Sequence, residues 1–357
     1  LTGPAMAKGV EDTALYRYHR LVALNEVGGD PHRFGVSAAE FHDWCKRTQS
    51  HWPATLLTTS THDTKRSEDV RARLVLLSQA PERWNVAVRR WSDRAQRYKV
   101  AAGPDANFEY LFWQTLVGAW PLSPERAREY FLKAVREAKL HTSWTRQNQD
   151  YERAIVAFTE GVLADAELTG DVASFVTALT PAAQAASLAL TLLKLTAPGV
   201  PDIYQGSELW DHSLADPDNR RPVDYAARRA ALRRAVREAP ALAGRSEGGL
   251  SKLYLIRRAL ELRRRRPNAF GPRGRYEPLA FNGPGSDMFV AFSREDSVVV
   301  AVRTRFFAEK GDEQATQATL PPGRFVARLG AETTFEGSIS AARLFAAFPV
   351  ALLERED

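Results

Sequence analysis

The peptide THDTKR contains four side chains that can do chemistry, namely His62, Asp63, Lys65 and Arg66. An imidazole that donates and a carboxylate that accepts can hydrogen-bond two adjacent hydroxyls of a sugar. A carboxylate at this place also favours an oxocarbenium-like transition state electrostatically. The spacing fits a structural role equally well, because Asp63 could cap the following helix or pair with Arg66. The peptide therefore predicts either a sugar site or an ion-paired helix start.

The two cations of this peptide leave similar alternatives open. Lys65 and Arg66 could hold acidic groups or hydroxyls of a substrate, or could neutralise Asp63. For Arg66 we favour the ion pair with Asp63, and we keep both cations as candidate substrate-binding residues.

A second polar peptide, DIYQGSE, provides further candidates. Tyr204, Gln205 and Glu208 are expected to contact a ligand, while Gly199 and Pro201 shape the turn before them. Each polar peptide follows a short run typical of a buried strand, TLLTTST in the first case and GVPDIY in the second. Because active sites of α/β barrels form where parallel strands end, we expect the two peptides to form one site.

The rest of the sequence predicts the helices and strands around these two peptides. Ser67 followed by EDVRARL predicts a helix with acidic residues in its first turn. Residues 81–180 are helical almost throughout, and their tryptophans are expected to build a core. TPAAQAASLALTLLKLTAPG predicts a buried helix, and further helices are expected at about 224–238 and 250–265. After Pro267, short apolar runs alternate with turn residues, which indicates antiparallel strands.

Composition limits the class of protein. The 357 residues include 49 basic and 43 acidic ones, and the arginines alternate with Glu and Asp on predicted helices, which is typical of solvated faces rather than nucleic-acid binding. The single cysteine, Cys45, excludes an intramolecular disulfide and is expected to be buried. No apolar run reaches the about 20 residues of a membrane helix, and no signal peptide is visible. We therefore expect a cytoplasmic protein that binds neither nucleic acid nor membrane.

No motif indicates a cofactor or a metal. The sequence contains no HExxH, CxxC, GxGxxG, GxSxG or Walker-type phosphate loop, and its seven histidines are scattered. We expect no cofactor and no metal site.

Four peptides together resemble a known family. MAKGVEDTALYRY, LNEVGGDP, TSTHDTKRSEDVRAR and GVPDIYQGSELWDHSLADPDNRRPVDY resemble the maltooligosyltrehalose synthases of the α-amylase superfamily, and the resemblance covers most of residues 3–240. The resemblance implies an α/β fold, the C-terminal part of a (β/α)8 barrel with a large helical insertion, followed by a small antiparallel β-sandwich domain. The implied segments are 1–80 with a lid-like loop and strand seven, 81–180 as the helical insertion, 181–266 with strand eight and closing helices, and 267–357 as the β domain.

The resemblance also implies roles for individual residues. In that family the His-Asp pair, here His62 and Asp63, binds hydroxyls of the sugar being cleaved, and the Asp is the third essential carboxylate. Lys65 would hold the glucose beyond the cleaved bond.

The KGVED peptide would form a lid or an acceptor-site element of that family through Lys8, Glu11 and Asp12. A helix start with an internal salt bridge explains the same residues equally well.

The family reaction converts the terminal α-1,4 bond of a maltooligosaccharide into an α,α-1,1 bond through a glycosyl-enzyme intermediate. It needs a nucleophile and an acid roughly 5 Å apart, which the family has on strands four and five, before the region matching Leu1. The resemblance therefore implies a C-terminal fragment that is inactive alone and whose partner is the missing N-terminal part of the enzyme. An amylase-like hydrolase and a non-catalytic glucan-binding module remain alternatives.

Overall fold

Helices dominate the chain as far as Phe270 in a computed structural model that describes residues 1–238, 247–307 and 312–356. The α-helices are α1 (Thr2–Pro4), α2 (Ala38–His51), α3 (Glu68–Leu74), α4 (Leu76–Gln79), α5 (Pro81–Ala95), α6 (Ala106–Ala119), α7 (Pro124–Ala138), α8 (Gln149–Ala164), α9 (Ala166–Thr196), α10 (Tyr225–Arg237), α11 (Leu250–Arg265), α12 (Pro267–Phe270), α13 (Asp312–Ala315) and α14 (Ala341–Leu344). A π-helix spans Ala5–Glu11, and 3₁₀-helices span Ala14–Tyr16, Val22–Leu24, Gln96–Tyr98, Asp218–Arg220, Glu247–Gly249 and Ser286–Met288. The helices predicted after Ser67, near 224–238 and near 250–265 are confirmed.

Strands are short at first and longer in the last part of the chain. They are β1 (Leu56–Leu57), β2 (Val200–Pro201), β3 (Tyr276–Leu279), β4 (Phe281–Asn282), β5 (Phe289–Arg294), β6 (Val298–Arg303), β7 (Gln317–Thr319), β8 (Phe325–Ala327), β9 (Thr334–Phe335), β10 (Ser338–Ser340) and β11 (Ala351–Arg355). All strands after Pro267 pair antiparallel, in a six-stranded sheet of order β3-β5-β6-β11-β8-β9 and a three-stranded sheet of order β10-β7-β4. The predicted antiparallel β region is confirmed.

The first two strands form a small parallel pair, in which Leu56 lies opposite Val200 and Leu57 opposite Pro201. The prediction that both runs are buried strands is wrong for these residues, because Leu56 is 74% exposed and Val200 is 44% exposed. A sheet of two strands has two open edges, and the Leu56 side of this pair is not covered by the described residues. The two strands can approach closely because residue 199 is a glycine. Its φ of 135° suits glycine, and a Cβ added there would lie only 2.7 Å from Leu57 Cγ.

The chain divides into two units. The first consists of Leu1–Phe34, Thr61–Pro181 and His212–Arg221. The second consists of Gly35–Ser60, Ala182–Asp211 and Pro222–Asp357. Both units combine segments that are distant in sequence, so neither follows the four consecutive segments of the predicted division, which stays a prediction.

The core of the first unit is aromatic. Trp84, Trp91 and Trp113 are buried and their rings contact one another in sequence, with centroids 6.0 Å and 5.5 Å apart. Phe112 joins them at 5.0 Å from Trp113. The predicted core role is confirmed for these three tryptophans, whereas Trp144 is exposed and lies under the guanidinium of Arg136.

Helix α9 is longer than its sequence pattern predicts. It runs for 31 residues with Pro181 inside it, and by length and apolar composition it could cross a membrane, which corrects the expectation that no apolar run is long enough. Half of its most apolar window is buried within the protein.

The second unit has two apolar clusters on opposite faces of the six-stranded sheet. Val290 and Phe292 of β5 belong to the cluster that includes side chains of α11. Phe289 and Ala291 alternate with them and belong to the cluster shared with the three-stranded sheet. Cys45 lies in the first cluster and is fully buried, as predicted, and its burial raises the pKa of the thiol to about 11.

Candidate active site

The peptide between β1 and α3 forms a tight turn, which we call the elbow (residues 61–66). Thr64 Oγ1 donates to the carbonyl oxygen of Thr61 at 2.8 Å, and the backbone N–H of Asp63 donates to Thr61 Oγ1 at 3.1 Å. Ser67 has extended backbone dihedrals and precedes the first helical residue, with Glu68 and Asp69 in the first turn of α3. The threonine side chains thus end the extended segment and the acidic residues favour the helix start.

His62 and Asp63 lie on the exposed side of the elbow. His62 Nε2 is 3.3 Å from Asp63 Oδ2, and their side chains are 58% and 66% exposed. Helix capping is not the role of Asp63 in this structure, because its carboxylate faces His62 instead. The imidazole and the carboxylate are adjacent and accessible, which is the arrangement that contact with two neighbouring hydroxyls requires.

Arg66 does not pair with Asp63, and this corrects the predicted ion pair. Its side chain is only 2% exposed, and it donates to the carbonyl oxygen of Val22 at 3.3 Å and to the hydroxyl of Tyr130 at 2.9 Å. These buried contacts support a structural role for Arg66, and its substrate contact stays a prediction. Its guanidinium holds the interior of the first unit together.

Lys65 contacts the KGVED peptide. Lys65 Nζ is 2.7 Å from Asp12 Oδ1, and it lies 5.9 Å from the centre of the Tyr16 ring. Lys8 Nζ reaches the other carboxylate oxygen of Asp12 at 2.5 Å. The structure thus brings Lys8, Asp12 and Lys65 together, and it has the internal salt bridge that was one of the two predicted explanations of KGVED. Glu11 instead accepts a hydrogen bond of 3.4 Å from the backbone of Gly28.

The Asp12 carboxylate is charged in this cluster. Its partial burial alone would raise the pKa, but the hydrogen bonds from Lys65 and Lys8 outweigh burial and hold the pKa of Asp12 below its ordinary value. The hydrogen bond to Asp12 in turn raises the pKa of the exposed Lys8 ammonium. Two cations share one anion, so the cluster has a net positive charge.

Two side chains that the sequence analysis did not single out contact the backbone of the elbow. Asn219 Nδ2 lies 3.3 Å from the carbonyl oxygen of Thr61 and 3.0 Å from that of His62. Glu26 accepts from the backbone N–H groups of Lys65 at 2.8 Å and Arg66 at 3.1 Å. The sequence signal was their presence in LNEVGGDP and DPDNRRPVD, two of the peptides that carry the family resemblance.

The loop 211–221 reaches the start of α3. The backbone N–H of Ser67 donates to the carbonyl oxygen of Ser213 at 3.0 Å. Arg73 Nη2 is 2.8 Å from His212 Nε2, and since a guanidinium only donates, this nitrogen of His212 is the acceptor. Burial lowers the pKa of Arg73 to about 10, which leaves it charged at neutral pH.

The second polar peptide belongs to the second unit. Gln205 is exposed and Tyr204 is half-buried. Glu208 is already engaged, because its Oε1 is 2.6 Å from Arg228 Nε and its Oε2 accepts from the backbone N–H of Gly206 at 3.0 Å. Tyr204 and Gln205 stay predicted substrate contacts, whereas Glu208 has a structural role. Among the residues that the structure describes, no group of three or more His, Cys, Asp or Glu side chains could hold a metal ion.

The relatives of this chain share one name. The chain is 43% identical over 365 residues to a putative maltooligosyl trehalose synthase from Mycobacterium tuberculosis (strain CDC 1551 / Oshkosh), an alignment that covers 100% of this chain and 45% of the relative. The protein of the same name from strain ATCC 25618 / H37Rv gives the same values. No protein-family model matches the chain.

Solved structures agree with these relatives. The structure of maltooligosyltrehalose synthase from Arthrobacter ramosus has a TM-score of 0.91 and 38% identity, and the match covers 99% of this chain and 46% of that chain. A hypothetical maltooligosyl trehalose synthase of Sulfolobus tokodaii has a TM-score of 0.82 and 30% identity, with 98% and 45% covered. The chain spans about half the length of the curated relatives it matches, and its resemblance to maltooligosyltrehalose synthases is confirmed.

Proposed function

We propose that this chain is the C-terminal portion of a maltooligosyl trehalose synthase. The proposal is supported by similarity along the whole chain to about half the length of proteins with that name. The whole enzyme would convert the reducing-end α-1,4 linkage of a maltooligosaccharide into a terminal α,α-1,1 linkage by intramolecular transglucosylation, an isomerisation. The observation that carries the proposal is the exposed pair His62 and Asp63 on a turn whose backbone is firmly hydrogen-bonded.

Asp63 would stabilise the positive charge that develops on the sugar in the transition state. In an oxocarbenium-like transition state the sugar ring becomes positive, and a carboxylate already in place stabilises it without reorganisation. His62 would donate to a hydroxyl of the same sugar. Since Asp63 is exposed, the bound sugar itself would remove water from the carboxylate and strengthen this interaction.

Lys65 and Lys8 would act on the glucose that is released and turned. Lys65 has three donors, and the ion pair with Asp12 uses one of them. The positive cluster of Lys8, Asp12 and Lys65 would hold glucose hydroxyls beside the cleaved bond, which raises the effective concentration of the acceptor. Tyr204 and Gln205 would add further substrate contacts.

The rest of the enzyme would supply the nucleophile and the general acid, so this chain alone would be inactive. We place β1 and β2 as adjacent strands seven and eight of a (β/α)8 barrel, in keeping with their parallel pairing. The exposed Leu56 and Val200 would be covered by the missing N-terminal part of the enzyme. Residues 81–180 would be the helical insertion of that barrel, and the reaction would be cytoplasmic and would need no cofactor.

A product assay with the full-length protein and maltopentaose tests this function. We expect reducing ends to disappear while the chain length is kept, because isomerisation joins the two anomeric carbons. Reducing ends that increase, with glucose or shorter chains released, would instead show an amylase-like hydrolase. Micromolar binding of maltopentaose by this 357-residue chain alone, without turnover by the full-length protein, would indicate a glucan-binding module.

A further inference from the structure

We propose that Asn219 and Glu26 are positioning residues that hold the elbow, so that His62 and Asp63 meet the reacting sugar in one fixed geometry. The proposal rests on the proposed function and goes beyond it, because neither residue touches the substrate. They act on the backbone of the elbow from its carbonyl side and from its N–H side.

Asn219 holds the carbonyl side. Its amide nitrogen lies within 3.5 Å of three carbonyl oxygens, those of Thr61, His62 and Thr64, with the shortest distance to His62. An amide NH2 group has two hydrogens, so the two shorter contacts are hydrogen bonds and the third is a weaker electrostatic contact. The carbonyl group of His62 is bonded to the nitrogen of Asp63, so fixing this peptide group fixes the start of the Asp63 residue.

Asn219 is itself held by its neighbour. Asp218 accepts two hydrogen bonds of 2.8 Å from Arg126 and one of 2.8 Å from the backbone N–H of Leu214. Two parallel N–H···O bonds between a guanidinium and a carboxylate define an orientation as well as a distance. The 3₁₀-helix that carries Asn219 is therefore tied to α7, and the amide is presented by a rigid support.

Glu26 holds the N–H side. Its two carboxylate oxygens accept from the backbone N–H groups of Lys65 and Arg66, and Oε1 also accepts from Val27. The side chain is buried, and Arg71 Nε lies 3.7 Å from Oε2 to balance its charge. Hydrogen bonds to a charged acceptor are stronger than neutral ones, and here they fix both peptide groups that follow Thr64.

Asn219 and Glu26 have complementary hydrogen-bonding roles, and neither side chain could replace the other. Carbonyl oxygens need a donor, which the amide of Asn219 supplies, and N–H groups need an acceptor, which the carboxylate of Glu26 supplies. Together they restrain a turn whose reactive side chains are largely in water and have few contacts of their own. A misplacement of about 1 Å can reduce the rate of a positioned reaction by about 100-fold, so such restraint has a kinetic effect.

The test uses the full-length protein with Asn219→Ala, Asn219→Asp and Glu26→Gln. The measurements are kcat, KM for maltopentaose and the ratio of isomerised product to released glucose. This ratio does not depend on the fraction of folded enzyme, so a purely structural role would leave it unchanged. Gln49→Ala is the matched control, since the Gln49 amide also donates to two loop carbonyl oxygens, those of Gly271 and Pro272.

We expect Asn219→Ala to lower kcat by about 10- to 100-fold and to lower the ratio, with KM changed less than about threefold. Asn219→Asp should be worse, because it places a carboxylate oxygen against carbonyl oxygens, and Glu26→Gln should give about a tenfold loss. Gln49→Ala should leave the ratio at the wild-type value. Should Asn219→Asp fail to fold, Asn219→Ala and Glu26→Gln carry the test.

Two failures can be told apart. A wild-type protein that only releases glucose overturns the proposed function, and the inference with it. A wild-type protein that isomerises, while Asn219→Ala and Glu26→Gln keep the wild-type kcat and ratio, overturns the inference alone.

Discussion

The elbow and the segment 202–208 follow the two parallel strands in the same way, yet they are stabilised differently. The elbow is held by Glu26 and Asn219, which are far away in sequence, and its carboxylate stays exposed. In the segment 202–208, Ser207 Oγ donates to Tyr204 at 2.7 Å, and the carboxylate of Glu208 is used internally. The carboxylate of the elbow thus stays exposed, whereas that of the segment 202–208 is bonded to its own backbone and to Arg228.

The largest expected effect is a loss of kcat when the carboxylate of the elbow is removed, which removal of an exposed carboxylate elsewhere should not cause. Asp63→Asn in the full-length protein should lower kcat for maltopentaose isomerisation by at least about 100-fold, because the charge that stabilises the transition state is lost. The thermal midpoint should change little, since the carboxylate is 66% exposed and its ion-pair contact among the described residues is with the exposed imidazole of His62. Asp93→Asn, an exposed position on α5, is the control, and a near wild-type rate for Asp63→Asn would remove Asp63 from the mechanism.

The next effect concerns Lys65 and Asp12, whose ion pair fixes the KGVED peptide. Lys65→Ala, Asp12→Ala and the double variant form a cycle in which we expect a coupling free energy of about 2 kcal/mol, because the side chains are only 10% and 23% exposed. Denaturant unfolding of the full-length protein measures it. Lys8→Ala is the comparison, with a smaller effect, since Lys8 is largely in water. A coupling near zero would mean that KGVED is held in another way.

A pH effect tests the support behind Asn219. Burial alone would raise the pKa of Asp218, but the hydrogen bonds from Arg126 and the backbone of Leu214 outweigh it and lower the pKa from its ordinary 3.8. A carboxyl with a lowered folded pKa contributes stability that is fully present above 3.8 and is lost as the pH falls through the folded pKa.

Thermal midpoints of the wild type and Asp218→Asn should therefore differ most above pH 3.8 and converge in more acidic solution. Arg126→Gln should make the loss smaller and complete it at a higher pH, because it removes a group that lowers the folded pKa of Asp218, while the onset near 3.8 is set by the unfolded chain. A difference that stays constant at all pH values would show that Asp218 does not stabilise the fold as a carboxylate.

The smallest effects are expected in the segment 202–208. Glu208→Gln should cost about 1 kcal/mol of unfolding free energy through its ion pair with Arg228, while kcat stays within about threefold of the wild type. Gln205→Ala should leave stability unchanged and raise KM for maltopentaose by about threefold, the value of one exposed hydrogen bond. A loss of kcat in Glu208→Gln as large as that of Asp63→Asn would abolish the distinction between the two peptides.

Local signals in the sequence predicted much of this architecture. Ser67 precedes a helix as expected, because its position depends on nearby residues, and the predicted strands after Pro267 include β5, in which Val290 and Phe292 alternate with Phe289 and Ala291 of the other apolar cluster. His62 and Asp63 were recognised as candidate site residues for the same reason, since a polar pair directly after an apolar run is a local pattern.

Long-range partners were the part that sequence could not supply. The ion pair of Arg66 with Asp63 was predicted from spacing, but Tyr130, 64 positions away, accepts the hydrogen bond instead. The burial of Leu56 was inferred from apolar type, yet burial depends on a covering layer and not on the residue itself. Glu26 and Asn219 carry no signal of their own, because an acceptor and a donor acquire meaning only from the groups they meet.

The aromatic core of the first unit gives the molecule an optical reporter. Trp84, Trp91 and Trp113 are buried in apolar surroundings, whereas Trp44 and Trp52 of the second unit are 40% and 74% exposed. Buried indoles emit at shorter wavelength and are protected from dissolved quenchers. A red shift of the emission, with new quenching by acrylamide, will therefore report the opening of the unit that carries the elbow.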